Sequence, residues 1–254
     1  MTVRACRMVV GVALVLAGVL AGGANAALVV EAEADGNAVN NSLGAAQAIP
    51  SAAFTTPPPV NVFGALPTAT ITGRNGGSDV DFFSFQANSG VVYFDIDNDP
   101  FSFDSILALF DSSGTLLAFD DDSFPGDPGT DFGSDAFLGV YTLTAPGTYY
   151  VTVSQFANFP TQTFAGSTTN LARPDGEFGG FAQSGSAPGV STFGANGNQA
   201  GSTYTLHISL ANPAGGVVPE PASTAIWGGL AALMFVGSRF RRRSTLMALE
   251  FEGP

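Results

Sequence analysis

The chain has 254 residues, 45% of them hydrophobic, and a formal net charge of -13. One Cys, one His and no Lys at all exclude a disulfide framework, the usual Cys/His zinc centres, Lys-bearing phosphate loops and nucleic-acid binding, which needs basic groups to neutralise phosphates. With 32 Gly, 16 Pro and 22 Phe, the composition is that of a β-sheet protein with many turns and a core to bury.

Charge is unevenly spread. Six of the eight basic residues lie near the ends, and Ala27 to Val217 holds 18 acids against Arg74 and Arg173 alone, giving 2 − 18 = −16. Such a surface repels anionic lipid and favours solubility; it also attracts divalent cations.

In chain order, Arg4 and Arg7 precede an apolar run from Met8 to Leu20, and Ala24-Asn25-Ala26 follows. A positive start, a short apolar run and a small-residue site make residues 1–26 a secretory signal peptide, removed by signal peptidase after Ala26. Cys6 leaves with it. Residues 27–59 read as a polar, Pro-rich lead-in.

Eight strands are predicted within a domain spanning residues 60–212: Ala69 to Gly73, Val80 to Phe85, Val91 to Asp97, Ser105 to Asp111, Thr115 to Asp120, Ala136 to Leu143, Thr148 to Ser154 and Thr203 to Leu210. Period-2 alternation marks half-buried antiparallel strands. Tyr149, Val151 and Val153 share one face, and so do Tyr204, Leu206, Ile208 and Leu210. Ile106 to Phe110 is apolar on both faces and reads as a central strand. Asn88-Ser89-Gly90, Ser112-Ser113-Gly114 and Ala145-Pro146-Gly147 supply turns. The expected fold is all-β, a jelly-roll-like antiparallel β-sandwich. Residues 157–202, rich in Gly, Ser and Phe without a steady period, read as a surface insertion, either flexible or carrying weak extra strands pinned by its Phe residues.

At the C-terminus, Pro219-Glu220-Pro221 precedes an apolar stretch from Thr224 to Ser238 and then Arg239, Arg241, Arg242 and Arg243. The apolar stretch reads as a transmembrane helix stopped by the cytoplasmic Arg cluster, leaving the domain outside. Residues 218–243 resemble the PEP-CTERM sorting signal, and residues 244–254 form a short tail beyond it. The resemblance implies processing by an exosortase and a place among surface and matrix proteins of biofilm and exopolysaccharide producers.

The candidate chemistry is oxygen-rich. Asp120, Asp121 and Asp122, with Asp127, lie in a Gly- and Pro-rich loop that also holds Asp131 and Asp135. Hard Ca²⁺ takes six to eight oxygens from such groups; the same residues also read as solvated turns. Asp95, Asp97 and Asp99 alternate along one strand and read as a solvated edge. A nucleophilic triad needs a base, and His207, on the polar face of the last strand, reads as solvent-facing. No enzyme activity is therefore expected, and a glycoside-acting role for scattered Asp residues is the weakest alternative.

Asp79-Val80-Asp81-Phe82-Phe83-Ser84-Phe85, Phe103 to Asp111 and Gly147-Thr148-Tyr149-Tyr150-Val151-Thr152-Val153 together resemble the bacterial pre-peptidase C-terminal domain family. The resemblance implies a β-sandwich without catalysis, some of whose relatives bind calcium or a fibrous or polysaccharide substrate. It also implies a second metal candidate, Glu31, Glu33 and Asn41 from the lead-in with Asp79 and Asp81. The expectation is a non-enzymatic exported protein, structural or adhesive in an exopolysaccharide matrix, with calcium its one candidate cofactor. The alternative is a calcium-dependent carbohydrate- or protein-binding module.

Overall fold

Alternating apolar residues on eight segments demand two sheets with facing inner surfaces, and that is the architecture found. The computed structural model describes residues 28–32, 39–56, 58–75, 78–98, 103–123, 126, 129, 134–161, 168–183, 193 and 202–215. All lie in one unit, Asn25–Pro219. The signal peptide, the sorting motif with its Arg cluster, Glu33 and Asp127 lie outside the described residues.

Among the described residues, twelve strands run in chain order: β1 Val29–Val30, β2 Gln47–Ala48, β3 Thr68–Asn75, β4 Val80–Ala87, β5 Gly90–Asn98, β6 Ser105–Phe110, β7 Leu116–Asp120, β8 Phe137–Leu143, β9 Gly147–Gln155, β10 Thr168–Ala172, β11 Phe178–Gln183 and β12 Ser202–Leu210. One sheet has the order β1-β3-β12-β5-β8 and the other β10-β11-β7-β6-β9-β4-β2. All eight predicted strands are present, and β6 is central between β7 and β9 as its two apolar faces require. No α-helix occurs among the described residues.

The inner faces close on each other through Ile71, Phe94, Ile96, Leu206 and Ile208 from one sheet and Phe83, Phe85, Leu107, Leu109, Val151 and Val153 from the other. Each such side chain contributes roughly 1.5–3 kcal/mol by leaving water.

Three segments outside the eight strands matter. The lead-in is part of both sheets: β1 pairs in parallel with β3 and β2 in parallel with β4, and Ile49, Ala53 and Phe54 enter the core. The pairing is thus antiparallel throughout except at these two edges. The insertion supplies β10 and β11, which extend the larger sheet from β7. Their approach to β8 depends on Gly139, where a Cβ would stand 2.6 Å from the Ala172 carbonyl oxygen. Phe193, also from the insertion, packs edge-on against Phe82 and Phe110 on the outer face of β4 and β6.

Residues 58–67 run over the outer face of the smaller sheet. The Tyr93 hydroxyl donates to the Phe63 carbonyl, and the Phe63 ring meets Phe137 edge-on. Arg173 lies over both rings, 5.4 Å and 5.7 Å from their centroids, and pairs with Asp175 at 2.6 Å.

This strap corrects two expectations. His207 is 2% exposed, not solvent-facing. Its Nδ1 lies 3.0 Å from Thr70 Oγ1 and its Nε2 3.0 Å from Asp97 Oδ2, and Asn61 of the strap also contacts both the imidazole and Asp97. Asp95 is fully buried and Asp97 lies beneath Asn61, so β5 offers no solvated acidic edge there. Alternation fixes which face a side chain points to, not what covers that face. Asp99 lies outside the described residues.

Candidate metal site at the lead-in

The acidic candidates nearest the chain start are drawn together by strand pairing. Glu31 follows β1, and its backbone N–H continues the parallel ladder to the Thr72 carbonyl at 2.9 Å. That aims its carboxylate at the end of β3, where Oε2 accepts from the Arg74 backbone N–H at 2.8 Å. Gly73 makes the room, since a Cβ there would collide with the Tyr204 ring and stand 2.8 Å from Glu31 Oε2. Asp79 immediately precedes β4. Asp81 is its second residue and alternates inward with Phe83 and Phe85, so a carboxylate stands at the end of the apolar interior.

Four neutral side chains organise these carboxylates. The Tyr204 hydroxyl donates to Asp81 Oδ2 at 2.8 Å and lies 3.4 Å from Glu31 Oε1; its ring stacks on Phe103. Asn75 Nδ2 lies 3.2 Å from Asp81 Oδ2, 3.2 Å from the Asp79 carbonyl and 3.3 Å from the Val153 carbonyl. Asn158 Nδ2 reaches the Asp79 carbonyl at 3.4 Å. Asn40 Nδ2 donates to Glu31 Oε1 at 3.1 Å, and the Asn40 backbone carbonyl accepts from the Phe82 N–H.

The balance of donors and acceptors is incomplete. Asp81 Oδ1, Asn40 Oδ1, Asn41 Oδ1 and Asn75 Oδ1 are buried oxygens that receive no hydrogen bond. Burial holds the Asp81 carboxyl well above its ordinary range, and the adjoining Glu31 and Asp79 carboxylates push it the same way. The Tyr204 phenol is likewise pushed up by burial and by Asp81 and Glu31. Unpaired buried acceptors each cost about 1–3 kcal/mol. Carboxylate and amide oxygens are what a hard divalent cation takes, so the residues present fit calcium chemically. Sequence reasoning named Glu31, Asp79 and Asp81 among the candidates; the fold brings Glu31 and Asp81 to one Tyr204 hydroxyl, with Asp79 near enough to act on Asp81 by its charge. It named Asn41, but the amide bonded to Glu31 is Asn40. It omitted Asn75 and Tyr204, whose only sequence signal is their place at the ends of strands flanking the acids.

The second acidic cluster is arranged differently from its sequence. Asp120 turns inward, where its Oδ2 accepts from the Phe137 N–H at 3.0 Å and from Ser123 Oγ at 3.1 Å. Burial pushes its carboxyl up to about 8. Asp121 and Asp122 turn the other way and join Asp104, one carboxylate oxygen of each lying within 4.8 Å of the others. Burial first, then Asp122 and Asp104, raises Asp121 to about 7. Asp135 is buried, and its carbonyl accepts from the Ser123 N–H. Asp104 was missed because it lies far upstream; the pairing Leu107↔Asp120 in the β6–β7 hairpin is what returns it to Asp121.

Residues 79–155 match the family model described as "Bacterial pre-peptidase C-terminal domain". Asp79 and Asp81 open that segment, and Glu31 and Asn40 precede it. No curated protein matches the chain. Similar solved structures include the pre-peptidase C-terminal domain of collagenase from Bacillus anthracis, at 15% identity, with 56% of this chain and 89% of that one covered and a TM-score of 0.30. Also similar is PliG of Salmonella Typhimurium, a periplasmic lysozyme inhibitor of g-type lysozyme, at 17% identity, 56% and 90% coverage and a TM-score of 0.26. Aeromonas hydrophila PliG gives 14% identity, 60% and 93% coverage and a TM-score of 0.26.

Proposed function

We propose that this chain is a non-catalytic, exported β-sandwich module, structural or adhesive in an exopolysaccharide matrix, in which calcium ties the lead-in to the sandwich. The observation that carries the reading is the buried cluster of Glu31, Asp79 and Asp81, in which Asp81 Oδ1 and the side-chain oxygens of Asn40 and Asn75 receive no donor. Calcium bound there would supply the positive charge that these oxygens face. Glu31 and Asn40 would hold it from the lead-in, and Asp79, Asp81 and Asn75 from β3 and β4. The ion would then link segments 35 residues or more apart in sequence, and its loss would free the lead-in first.

Export and sorting rest on the two ends of the sequence. Residues 1–26 carry the three parts of a signal peptide, and Pro219-Glu220-Pro221 with the apolar stretch and Arg239, Arg241, Arg242 and Arg243 supports exosortase processing. An acidic, Lys-free domain between them suits a hydrated matrix.

Co-sedimentation of the full chain with the exopolysaccharide of its own producer, in calcium and in chelator, tests the reading. Binding in calcium that falls in chelator supports a calcium-ordered matrix module. Absence of binding in both conditions overturns the matrix role.

A further inference from the structure

At the opposite end of β9 from the acidic cluster, the two sheets part around a cleft of about 280 Å³. Its walls come from the β6–β7 turn, the end of β8 and the start of β9, and include Asp111, Leu117, Tyr141, Pro146, Thr148 and Tyr149. The polar groups are held in place before any ligand arrives. Asp111 Oδ1 accepts from the Ser113 N–H at 2.8 Å, Ser113 Oγ at 2.6 Å and the Thr115 N–H at 3.0 Å, which fixes the carboxylate and leaves Oδ2 as an acceptor. Tyr149 is tied by its hydroxyl to the Ala145 carbonyl at 2.7 Å. Tyr141 is half-buried, and its phenol is pushed up by burial, by Tyr149 and by Asp111, so the three groups share one small space.

The chemistry of these walls selects a ligand class. Tyr141, Leu117 and Pro146 give apolar faces, while Asp111 Oδ2 and the Tyr141 and Thr148 hydroxyls give acceptors and donors around them. Amphipathic aromatic rings with a few fixed polar groups suit a flat ring with a polar rim. Among the described residues no Arg or His lines the cleft, and the Asp111 carboxylate repels anions, so phosphorylated and uronic ligands are disfavoured. The volume falls just below that of pockets for drug-sized molecules, roughly 300–1,000 Å³, and suits a single ring. We propose that this cleft binds one neutral sugar ring, with Tyr141, Leu117 and Pro146 as its apolar walls and Asp111 as the acceptor for its hydroxyls. The inference deepens the matrix reading by naming a point of contact, and it rests on that reading only for the source of the sugar.

Gly147 provides a clean test. It lines the cleft, and a Cβ added there meets nothing within 4 Å, so Gly147→Leu adds bulk at the cleft without a clash at Cβ. The full chain, kept in a detergent that carries no sugar, is titrated calorimetrically. The probes are the methyl pyranosides of glucose, galactose, mannose and N-acetylglucosamine, their tetrasaccharides, choline and tetragalacturonate. Saturable binding of at least one neutral sugar, weakened tenfold or more by both Gly147→Leu and Tyr141→Ala at unchanged melting temperature for Gly147→Leu, is the expected result. Binding of no neutral sugar, binding of choline or tetragalacturonate in their place, or neutral-sugar binding that Gly147→Leu leaves intact overturns the proposal. The two readings fail separately. If Gly147→Leu still sediments with the producer's exopolysaccharide as the wild type does, the cleft is rejected and the matrix role stands. If the wild type binds a short neutral sugar in the cleft but not the polymer, the cleft stands and the matrix role is rejected.

Discussion

Asp120 should make the stability of the sandwich depend on pH in the direction opposite to an ordinary ion-paired carboxylate. Its side chain is buried, with Oδ2 held by the Phe137 N–H and Ser123 Oγ, and burial raises the carboxyl to about 8. The unfolded chain releases that proton near the ordinary value of 3.8. Between those two values the folded state therefore carries one proton more than the unfolded state, and stability falls as pH rises across the window. The slope for one proton is about 1.4 kcal/mol per pH unit, and the whole interval sets a ceiling of roughly 6 kcal/mol. Asp120→Asn keeps an acceptor for both donors and removes the titration. Urea unfolding of wild type and variant in chelator, from pH 5 to 9, reads the difference directly. The variant should gain on the wild type steadily up to about pH 8 and then run parallel. Curves that are parallel from pH 5 upward would show that Asp120 is ionised throughout, and the reasoning from burial would be wrong.

Further predictions follow from the same contacts. Gly73→Ala drives a methyl into the Tyr204 ring and Glu31 Oε2; overpacking of this kind costs about 1–3 kcal/mol, read by urea unfolding, and calcium binding should be lost with it in calorimetry. Leu109→Ala, at a fully buried position of β6, should cost about 2–5 kcal/mol by the same unfolding assay. Arg173→Ala removes both the pair to Asp175 and the cation over Phe63 and Phe137. It should cost roughly 1–3 kcal/mol, with hydrogen exchange rising first in residues 58–67 and 173–177.

The predictability of the fold tracked the strength of its local signals. Segments such as Thr203 to Leu210 alternate over eight residues, so their faces and pairing were legible without coordinates. Val29–Val30 and Gln47–Ala48 are two residues long and have no period to detect; only the sheets they join reveal them. The β10–β11 pair was obscured because Phe178-Gly179-Gly180-Phe181 does not alternate. Gly180 there takes φ +86 and lies against Asp120, where a Cβ would stand 2.8 Å from the Asp120 Cβ. In the same way, Glu31, Asp79 and Asp81 were recognisable as acids with a shared destination, but Asn40, Asn75 and Tyr204 become part of the site only through tertiary pairing. The burial of His207 was illegible because the residues above it come from a strap almost 150 positions earlier in the chain.

The central claim is that the Glu31–Asp79–Asp81 cluster is completed by calcium, and thermal unfolding of the full chain at pH 7 in calcium and in chelator tests it most directly. Calcium at a hundredfold excess over its dissociation constant adds about 2.7 kcal/mol, which for a domain of this size raises the melting temperature by roughly 5–10 °C. The account predicts that shift in the wild type and its disappearance in Asp81→Asn. Identical melting of the wild type in calcium and in chelator would contradict it.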